Sequence, residues 1–298
     1  MTLALNIPVT IVGGYLGSGK TTLINNLLRH ADGKKLAILV NEFGELPIDA
    51  DLIEAEEGDV ISLSGGCVCC SYGNDLTSAV MDVAQMQPTP DHIVLEASGV
   101  ALPGAIASSL SLLNNCSLDG IVVLADAETV KSKSTDKYMS DTIMRQLTDA
   151  DIVLLNKIDL VASEDLQATR EWLNGCSNNA SIIETKHSTA PIAVVLEDFE
   201  RQSQPLNSGV PQHVDQFHTY KLAMEESVDP KHFAEKLIEN TPGIVRAKGF
   251  VRDLNGDLKT VQIVGKRFAI SVAPNQVESG VVVISVRGDG LSNRGTRS

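Results

Sequence analysis

Short apolar runs alternate with longer stretches of helical periodicity from residue 8 to about residue 192. The runs are rich in β-branched residues, which is typical of strands that are buried on both faces. Five runs are clear, at residues 9–12, 36–40, 92–95, 121–124 and 152–155. The alternation predicts an α/β domain with a mostly parallel sheet covered by helices. Ligands of such sheets bind at the carboxyl ends of the strands, so we expect the functional residues there.

The pattern changes at residues 201–212, a polar segment with two prolines that we interpret as a linker. Strands are predicted beyond it at residues 217–224, 244–251, 258–264 and 267–272, with a helix from Asp229 to about Asn240 and a hairpin turn at Asn255-Gly256. We therefore expect a first domain at residues 1–203 and a smaller α+β domain at 212–287. The Gly-, Ser- and Arg-rich tail at 288–298 is predicted to be disordered.

A phosphate-loop motif follows the first predicted strand. Residues 14–21 read GYLGSGKT and match GxxxxGK[ST], and an amphipathic run follows directly. This context predicts a P-loop NTPase domain in which backbone amides hold the phosphates, Lys20 adds charge and the Thr21 hydroxyl holds Mg²⁺. We assign nucleotide binding to Gly14, Gly17, Ser18, Gly19, Lys20, Thr21 and Thr22, and a catalytic role to Lys20 and Thr21 as well.

A candidate guanine-binding box, Asn156-Lys157-Ile158-Asp159, ends the run at 152–155. A carboxylate such as that of Asp159 accepts hydrogen bonds from N1–H and the 2-amino group of guanine, and adenine lacks this pair of donors. The alternative is an ordinary strand end with Asp159 as a helix cap. The position after a phosphate loop favours Asn156, Lys157 and Asp159 as residues that select GTP. A further base-contacting loop is expected at residues 184–188, where no residue is diagnostic.

A third motif lies at the end of the run at 92–95. Glu96 is predicted to hold the water shell of Mg²⁺ and to act in catalysis, and the Gly99 N–H to sense the γ-phosphate. A carboxylate that merely caps the strand is the alternative, and the two preceding motifs favour the catalytic role. No glutamine or arginine is obviously placed to orient the attacking water, so we expect slow intrinsic GTP hydrolysis.

Three of the five cysteines, Cys67, Cys69 and Cys70, lie within four residues. Thiolates favour Zn²⁺ and related ions, and three thiolates leave a tetrahedral site one ligand short. Glu45, Glu42, a histidine or water are candidates for the fourth ligand. Buried free thiols or a redox pair are the alternatives. Cys116 and Cys176 are isolated, and we expect them to be core thiols.

These motifs resemble the CobW-type family of metal-associated GTPases. The resemblance rests on the phosphate loop, NEFGE at 41–45, GGCVCC at 65–70, EASGVALP at 96–103 and NKID at 156–159. It implies GTP hydrolysis coupled to delivery of zinc or cobalt to a client metalloprotein. The chain departs from the family at Val40, where some members carry a glutamate, and it lacks a histidine-rich tract between the domains. A GTP-dependent metal or redox sensor without delivery, and an ATP-using enzyme with a structural metal, are the rival interpretations.

The composition of the chain makes some classes of binding partner unfavourable. The formal net charge is −14, which disfavours nucleic acid and anionic lipid surfaces. No apolar run approaches the ~20 residues that span a bilayer, and the N-terminus lacks the basic start of a signal peptide. We expect a cytoplasmic protein that binds GTP or GDP, Mg²⁺ and Zn²⁺ or Co²⁺. The client is not identified by the sequence, and a homodimer is left open.

Overall fold

The computed structural model describes residues 6–31, 33–40, 60–62, 74–178, 180–196, 216–274 and 277–286. The chain divides into two compact units, Met1–Glu197 and Asp198–Ser298. The predicted domain boundaries at 203 and 212 and the predicted tail at 288–298 lie outside the described residues and stay predictions.

The first unit is an α/β domain with a seven-stranded sheet in the order β3-β2-β4-β1-β5-β6-β7. Every described strand pair in this sheet is parallel, as the sequence predicts. Its strands are β1 (Ile7–Gly14), β2 (Leu36–Val40), β3 (Val60–Ser62), β4 (His92–Glu96), β5 (Cys116–Asp126), β6 (Ile152–Asn156) and β7 (Ser181–Glu184). The order places β1 at the centre, so the phosphate loop leaves from the middle of the sheet.

Seven helices of this unit are described along the same stretch. They are α1 (Lys20–Arg29), α2 (Asn74–Ala84), α3 (Pro103–Leu110), α4 (Val130–Lys133), α5 (Ser140–Asp149), α6 (Ser163–Cys176) and α7 (Ile192–Val195). Strands β2, β4 and β6 are buried along their whole length. Full burial of each Val, Leu or Ile contributes about 1.5–3 kcal/mol, which explains why these runs carry no polar alternation.

A chain of polar side chains joins three central strands inside this core. The Thr10 hydroxyl donates to Asp119 Oδ2 at 2.9 Å and lies 2.8 Å from His92 Nε2. All three residues are buried. Because buried polar groups need partners, this cluster fixes the relative positions of β1, β4 and β5.

The second unit is an antiparallel sheet in the order β11-β10-β9-β12-β8. Its elements are β8 (Phe217–Leu222), α8 (Pro230–Asn240), β9 (Ile244–Arg252), β10 (Leu258–Val264), β11 (Arg267–Val272) and β12 (Gly280–Val286). The Asp229 side chain caps α8 by accepting from the His232 N–H at 2.9 Å. Gly256 has a φ of +91° in the β9–β10 hairpin, so the predicted turn is confirmed.

Three strands were not predicted. β3 and β7 have only three and four residues, too few to show a pattern. β12 pairs with both β8 and β9, so its place inside the sheet depends on contacts remote in sequence. Among the helices of the described ranges, none is long and apolar enough to cross a membrane.

Candidate nucleotide-binding site

The loop between β1 and α1 has the backbone of a phosphate cradle. Gly14, Gly17 and Gly19 have φ angles of +133°, +77° and +107°. A Cβ on Gly19 would lie 2.6 Å from Asn156 Nδ2, so only glycine fits there. Helix α1 begins directly afterwards, and the amides of its N-terminus favour an anion.

The predicted Mg²⁺ and catalytic residues lie at the start of α1 and the end of β4. Lys20 is the first residue of α1 and is buried. The Thr21 hydroxyl faces Glu96, with Oγ1 3.4 Å from Oε1, and Glu96 is 3% exposed. A hydroxyl and a carboxylate are ligands that Mg²⁺ accepts, directly or through water. The pair therefore fits the predicted ion, whereas Thr22 is exposed on the first turn of α1.

Asn156 joins the phosphate loop to the loop after β7. Its Nδ2 donates to Ser18 O at 2.9 Å and to Ser188 Oγ at 2.8 Å, and its Oδ1 accepts from the Ser188 N–H at 2.8 Å. Asp159 follows in an exposed 3₁₀ turn. The guanine box and the phosphate loop thus lie at one edge of the sheet, in contact through Asn156.

Ser188 is a site residue that sequence reasoning missed. It is fully buried, and its Oγ donates to Gly19 O at 2.9 Å. His187 and Ser188 have φ angles of +52° and +53°, and Asn26 Nδ2 donates to His187 O at 2.9 Å. The loop was expected at this position, but a serine is too common a residue to be identified there without its contacts.

Asp126 was also missed. It ends β5 beside Asn156, and its Oδ2 accepts from Lys157 Nζ at 2.7 Å. Asp126 is largely buried, while Lys157 is partly exposed with a φ of +63°. The ion pair fixes the direction of the Lys157 side chain next to the guanine box.

Gly99 lies in a turn that packs on the phosphate loop. The turn is closed by the Ala101 N–H, which donates to Ser98 O at 3.0 Å. A Cβ on Gly99 would be 2.9 Å from Leu16 N, so the close approach requires glycine. The structure therefore brings Gly99 to the phosphate loop, and its role in sensing the γ-phosphate stays a prediction.

The predicted transition-metal ligands, Cys67, Cys69, Cys70, Glu42 and Glu45, lie outside the described residues. Within the described part of the chain, no group of three or more His, Cys, Asp or Glu side chains could hold a metal ion. The isolated cysteines fit core positions: Cys116 is buried and Cys176 is partly buried. Burial raises the pKa of both thiols, which disfavours the thiolate that metals need.

The described domain matches a known family. Residues 8–184 match the CobW/HypB/UreG nucleotide-binding domain, from the start of β1 to the end of β7. The chain belongs to the CobW/HypB/UreG family. The site residues described above lie inside the matched range, except His187 and Ser188, which lie three and four residues beyond it.

Three relatives in this family illustrate how far the similarity extends. The zinc chaperone CobW of Pseudomonas aeruginosa is 30% identical over 313 residues, covering 90% of this chain and 82% of that protein. The zinc chaperone CobW of a Sinorhizobium species is 29% identical over 286 residues, covering 82% and 81%. The zinc-regulated GTPase metalloprotein activator 1 of Schizosaccharomyces pombe is 34% identical over 191 residues, covering 61% and 46%. The similarity to the first two extends beyond the nucleotide-binding domain.

We predict that Ser188→Ala destabilises the protein by about 1–3 kcal/mol, because the Gly19 carbonyl and the Asn156 amide each lose a buried partner. Urea unfolding measures the change. The matched control is Ser108→Ala, since the Ser108 hydroxyl also donates to a backbone carbonyl at 2.9 Å but on an exposed helix face. Equal, small effects of the two substitutions would contradict the bracing role of Ser188.

Proposed function

We propose that this protein binds and hydrolyses GTP and uses the nucleotide cycle to bind a transition metal, Zn²⁺ or Co²⁺, and to deliver it to a client metalloprotein. The assignment of nucleotide binding and hydrolysis rests on one observation. Asn156 Nδ2 donates to Ser18 O at 2.9 Å, and this bond holds the guanine box against the phosphate loop. An NKxD sequence that occurred by chance would not be expected to bond to the phosphate loop, as a guanine-binding box must.

Base selection follows from the position of Asp159. Its carboxylate is exposed at the end of β6, in the turn that Asn156 anchors, and is free to accept from N1–H and the 2-amino group of a guanine. Lys157 is held by Asp126 through its Nζ at 2.7 Å, and we expect its aliphatic stem to cover one face of the base. Adenine would offer an acceptor where the carboxylate needs a donor, so GTP is preferred over ATP.

Hydrolysis is assigned to the residues at the start of α1 and the end of β4. Lys20 and the amides at the start of α1 stabilise the charge that moves toward the β-phosphate as the terminal P–O bond breaks. Thr21 and Glu96, whose oxygens lie 3.4 Å apart, would hold Mg²⁺, and the bound ion would neutralise phosphate charge. The buried carboxylate of Glu96 would hold the water shell of that ion.

The proposal of metal binding and delivery rests on the chemistry of the cysteine cluster and on the names of relatives in the family. Cys67, Cys69 and Cys70, with Glu42 and Glu45 as further candidates, supply thiolate and carboxylate ligands suited to Zn²⁺ or Co²⁺. Two relatives are zinc chaperones and a third is a zinc-regulated GTPase. The metal is the cargo, and release to the client follows the change of nucleotide state.

Nucleotide binding and hydrolysis are tested by phosphate release from GTP and from ATP at equal concentration. We expect slow turnover with GTP, on the order of 10⁻⁴ to 10⁻² s⁻¹ without a partner, and at least tenfold less with ATP. A preference for ATP would overturn the assignment and revive an ATP-using enzyme with a structural metal.

Delivery is tested separately with purified protein loaded with one equivalent of Zn²⁺ and a zinc-dependent apo-enzyme as acceptor. Recovery of acceptor activity that requires GTP, and that GDP or a non-hydrolysable analogue does not support, is the expected result. Zinc transfer at the same rate in all nucleotide states would instead indicate a sensor or a storage protein.

A further inference from the structure

Helix α5 contacts the Gly99 turn through one buried glutamine. Gln146 is 1% exposed, and its Nε2 donates to Gly99 O at 3.2 Å and to Ala101 O at 2.8 Å. One turn further along α5, Asp149 Oδ2 accepts from the Gly104 N–H at 2.9 Å. The backbone between Gly99 and Gly104 is therefore bonded to α5 at both of its ends.

Helix α5 is a rigid support for this turn. Ile143 and Leu147, which flank Gln146 on the same face, are 3% and 1% exposed and belong to the core of the domain. A glutamine among buried apolar residues loses its water, so its donors have to be used within the protein. Both of its observed donations go to the turn, and neither goes to α5 itself.

These bonds set the direction of the amides in the turn. A trans peptide is planar, so fixing a carbonyl oxygen fixes the N–H of the next residue on the opposite side. Gln146 holds the Gly99 carbonyl, and the Ala101 N–H holds the Ser98 carbonyl. The bond from Gln146 therefore fixes the direction of the Val100 N–H, and the bond from the Ala101 N–H fixes the direction of the Gly99 N–H.

The turn is also continuous with the catalytic residues. Glu96, which faces the Thr21 hydroxyl, lies three residues before Gly99, and Gly99 approaches the backbone of Leu16 in the phosphate loop. A change of the turn's orientation would therefore change both the Gly99 amide and the chain that follows Glu96.

We propose that Gln146 is a positioning residue for GTP hydrolysis: its bonds to the Gly99 and Ala101 carbonyls hold the turn against α5. Within the turn that is held in this way, the Ala101 N–H bonds to Ser98 O and so presents the Gly99 amide to the γ-phosphate. The proposal rests on the proposed GTPase function. GDP lacks the γ-phosphate, so Gln146 contributes to binding of the triphosphate and to hydrolysis and leaves GDP binding unchanged.

The test is Gln146→Met, which keeps the length of the side chain and removes its donors. We expect the single-turnover rate of GTP hydrolysis to fall about 10- to 100-fold and the affinity for a non-hydrolysable GTP analogue to fall about fivefold, with GDP affinity within about twofold of wild type. The matched control is Gln167→Met, because Gln167 is exposed on α6 and its side chain donates to the exposed Glu171 on the same helix at 3.0 Å. It should leave all three quantities unchanged.

A second variant, Gln146→Glu, is isosteric and donates a hydrogen bond only when protonated. Its hydrolysis rate relative to wild type should rise as the pH falls from about 8 to about 6, since burial keeps such a carboxyl protonated at higher pH than usual. This pH profile tests the donor directly and remains informative if the methionine variant does not fold.

Two results would overturn the proposal. One is a hydrolysis rate equal to that of wild type in both Gln146→Met and Gln146→Glu, together with an unchanged ratio of GTP-analogue affinity to GDP affinity. The other is an equal loss of GDP and GTP-analogue binding, which indicates a merely structural role. If the wild-type protein does not hydrolyse GTP, the proposed function fails, and the ratio of the two affinities in Gln146→Met still decides the role of Gln146.

Discussion

Replacing Asp159 by asparagine is expected to lower the affinity for GTP by about 100-fold or more and to create binding of xanthosine triphosphate. In the proposed complex the carboxylate accepts two hydrogen bonds from guanine, and such charge-assisted bidentate pairs are strong. Asparagine would turn its NH₂ group toward the 2-amino group of guanine, leaving a donor against a donor. Xanthine carries an oxygen at that position, so it matches the asparagine amide. A site built to bond polar groups of its ligand can discriminate by several powers of ten against an analogue that does not match them.

Competition against a fluorescent guanine nucleotide measures this change. The matched control is Asp165→Asn, an exposed acid in the first turn of α6 that should leave both affinities unchanged. Asp159 is exposed in a short 3₁₀ turn, so the melting temperature should stay near that of wild type. A variant that still prefers GTP over xanthosine triphosphate would show that Asp159 does not read the base.

The second large effect is expected at the phosphate loop. Lys20→Ala should reduce the rate of GTP hydrolysis by about 10²- to 10³-fold, because it removes a preorganised charge where negative charge develops in the transition state. Lys20 is largely buried at the N-terminus of α1, where the charge is shielded little by solvent. GTP affinity should fall more than GDP affinity, since the lysine of this motif is expected to reach the β- and γ-phosphates.

Single-turnover hydrolysis and nucleotide titration measure both parts of the Lys20 prediction. Lys131→Ala is the control, since Lys131 is an exposed lysine of α4. Hydrolysis within tenfold of wild type in Lys20→Ala would exclude the phosphate loop as the catalytic centre.

The fold of the first unit followed from its sequence because its inner strands are buried along all or nearly all of their length. Such strands are continuous apolar runs, and each predicted run coincides with a strand, from β1 to β6 with β3 excepted. The phosphate loop, Glu96 and the guanine box were predicted for a related reason. A residue at the carboxyl end of a parallel strand faces the ligand edge whatever the strand order.

The residues that sequence reasoning missed act through partners remote in the chain. Ser188 bonds to Gly19 across 169 residues, and Gln146 bonds to Gly99 across 47. Asp126 needs the pairing of β5 with β6 before it meets Lys157. Serine, glutamine and aspartate are common in surface loops and helices, so nothing local distinguishes the buried ones. Only the assembled sheet edge shows that these three side chains support the site.

Nucleotide state and metal binding are coupled in the proposed cycle, and Co²⁺ titration tests this coupling most directly. Reduced protein would be titrated with GTP analogue, with GDP and without nucleotide, following the thiolate-to-cobalt charge-transfer absorption, and again with Cys67, Cys69 and Cys70 replaced by serine. We expect bands that vanish in the serine variant and a Co²⁺ affinity that differs about 5- to 150-fold between nucleotide states, with the reciprocal effect on nucleotide affinity. Equal Co²⁺ affinity in all three states would contradict a coupled metal-delivery cycle.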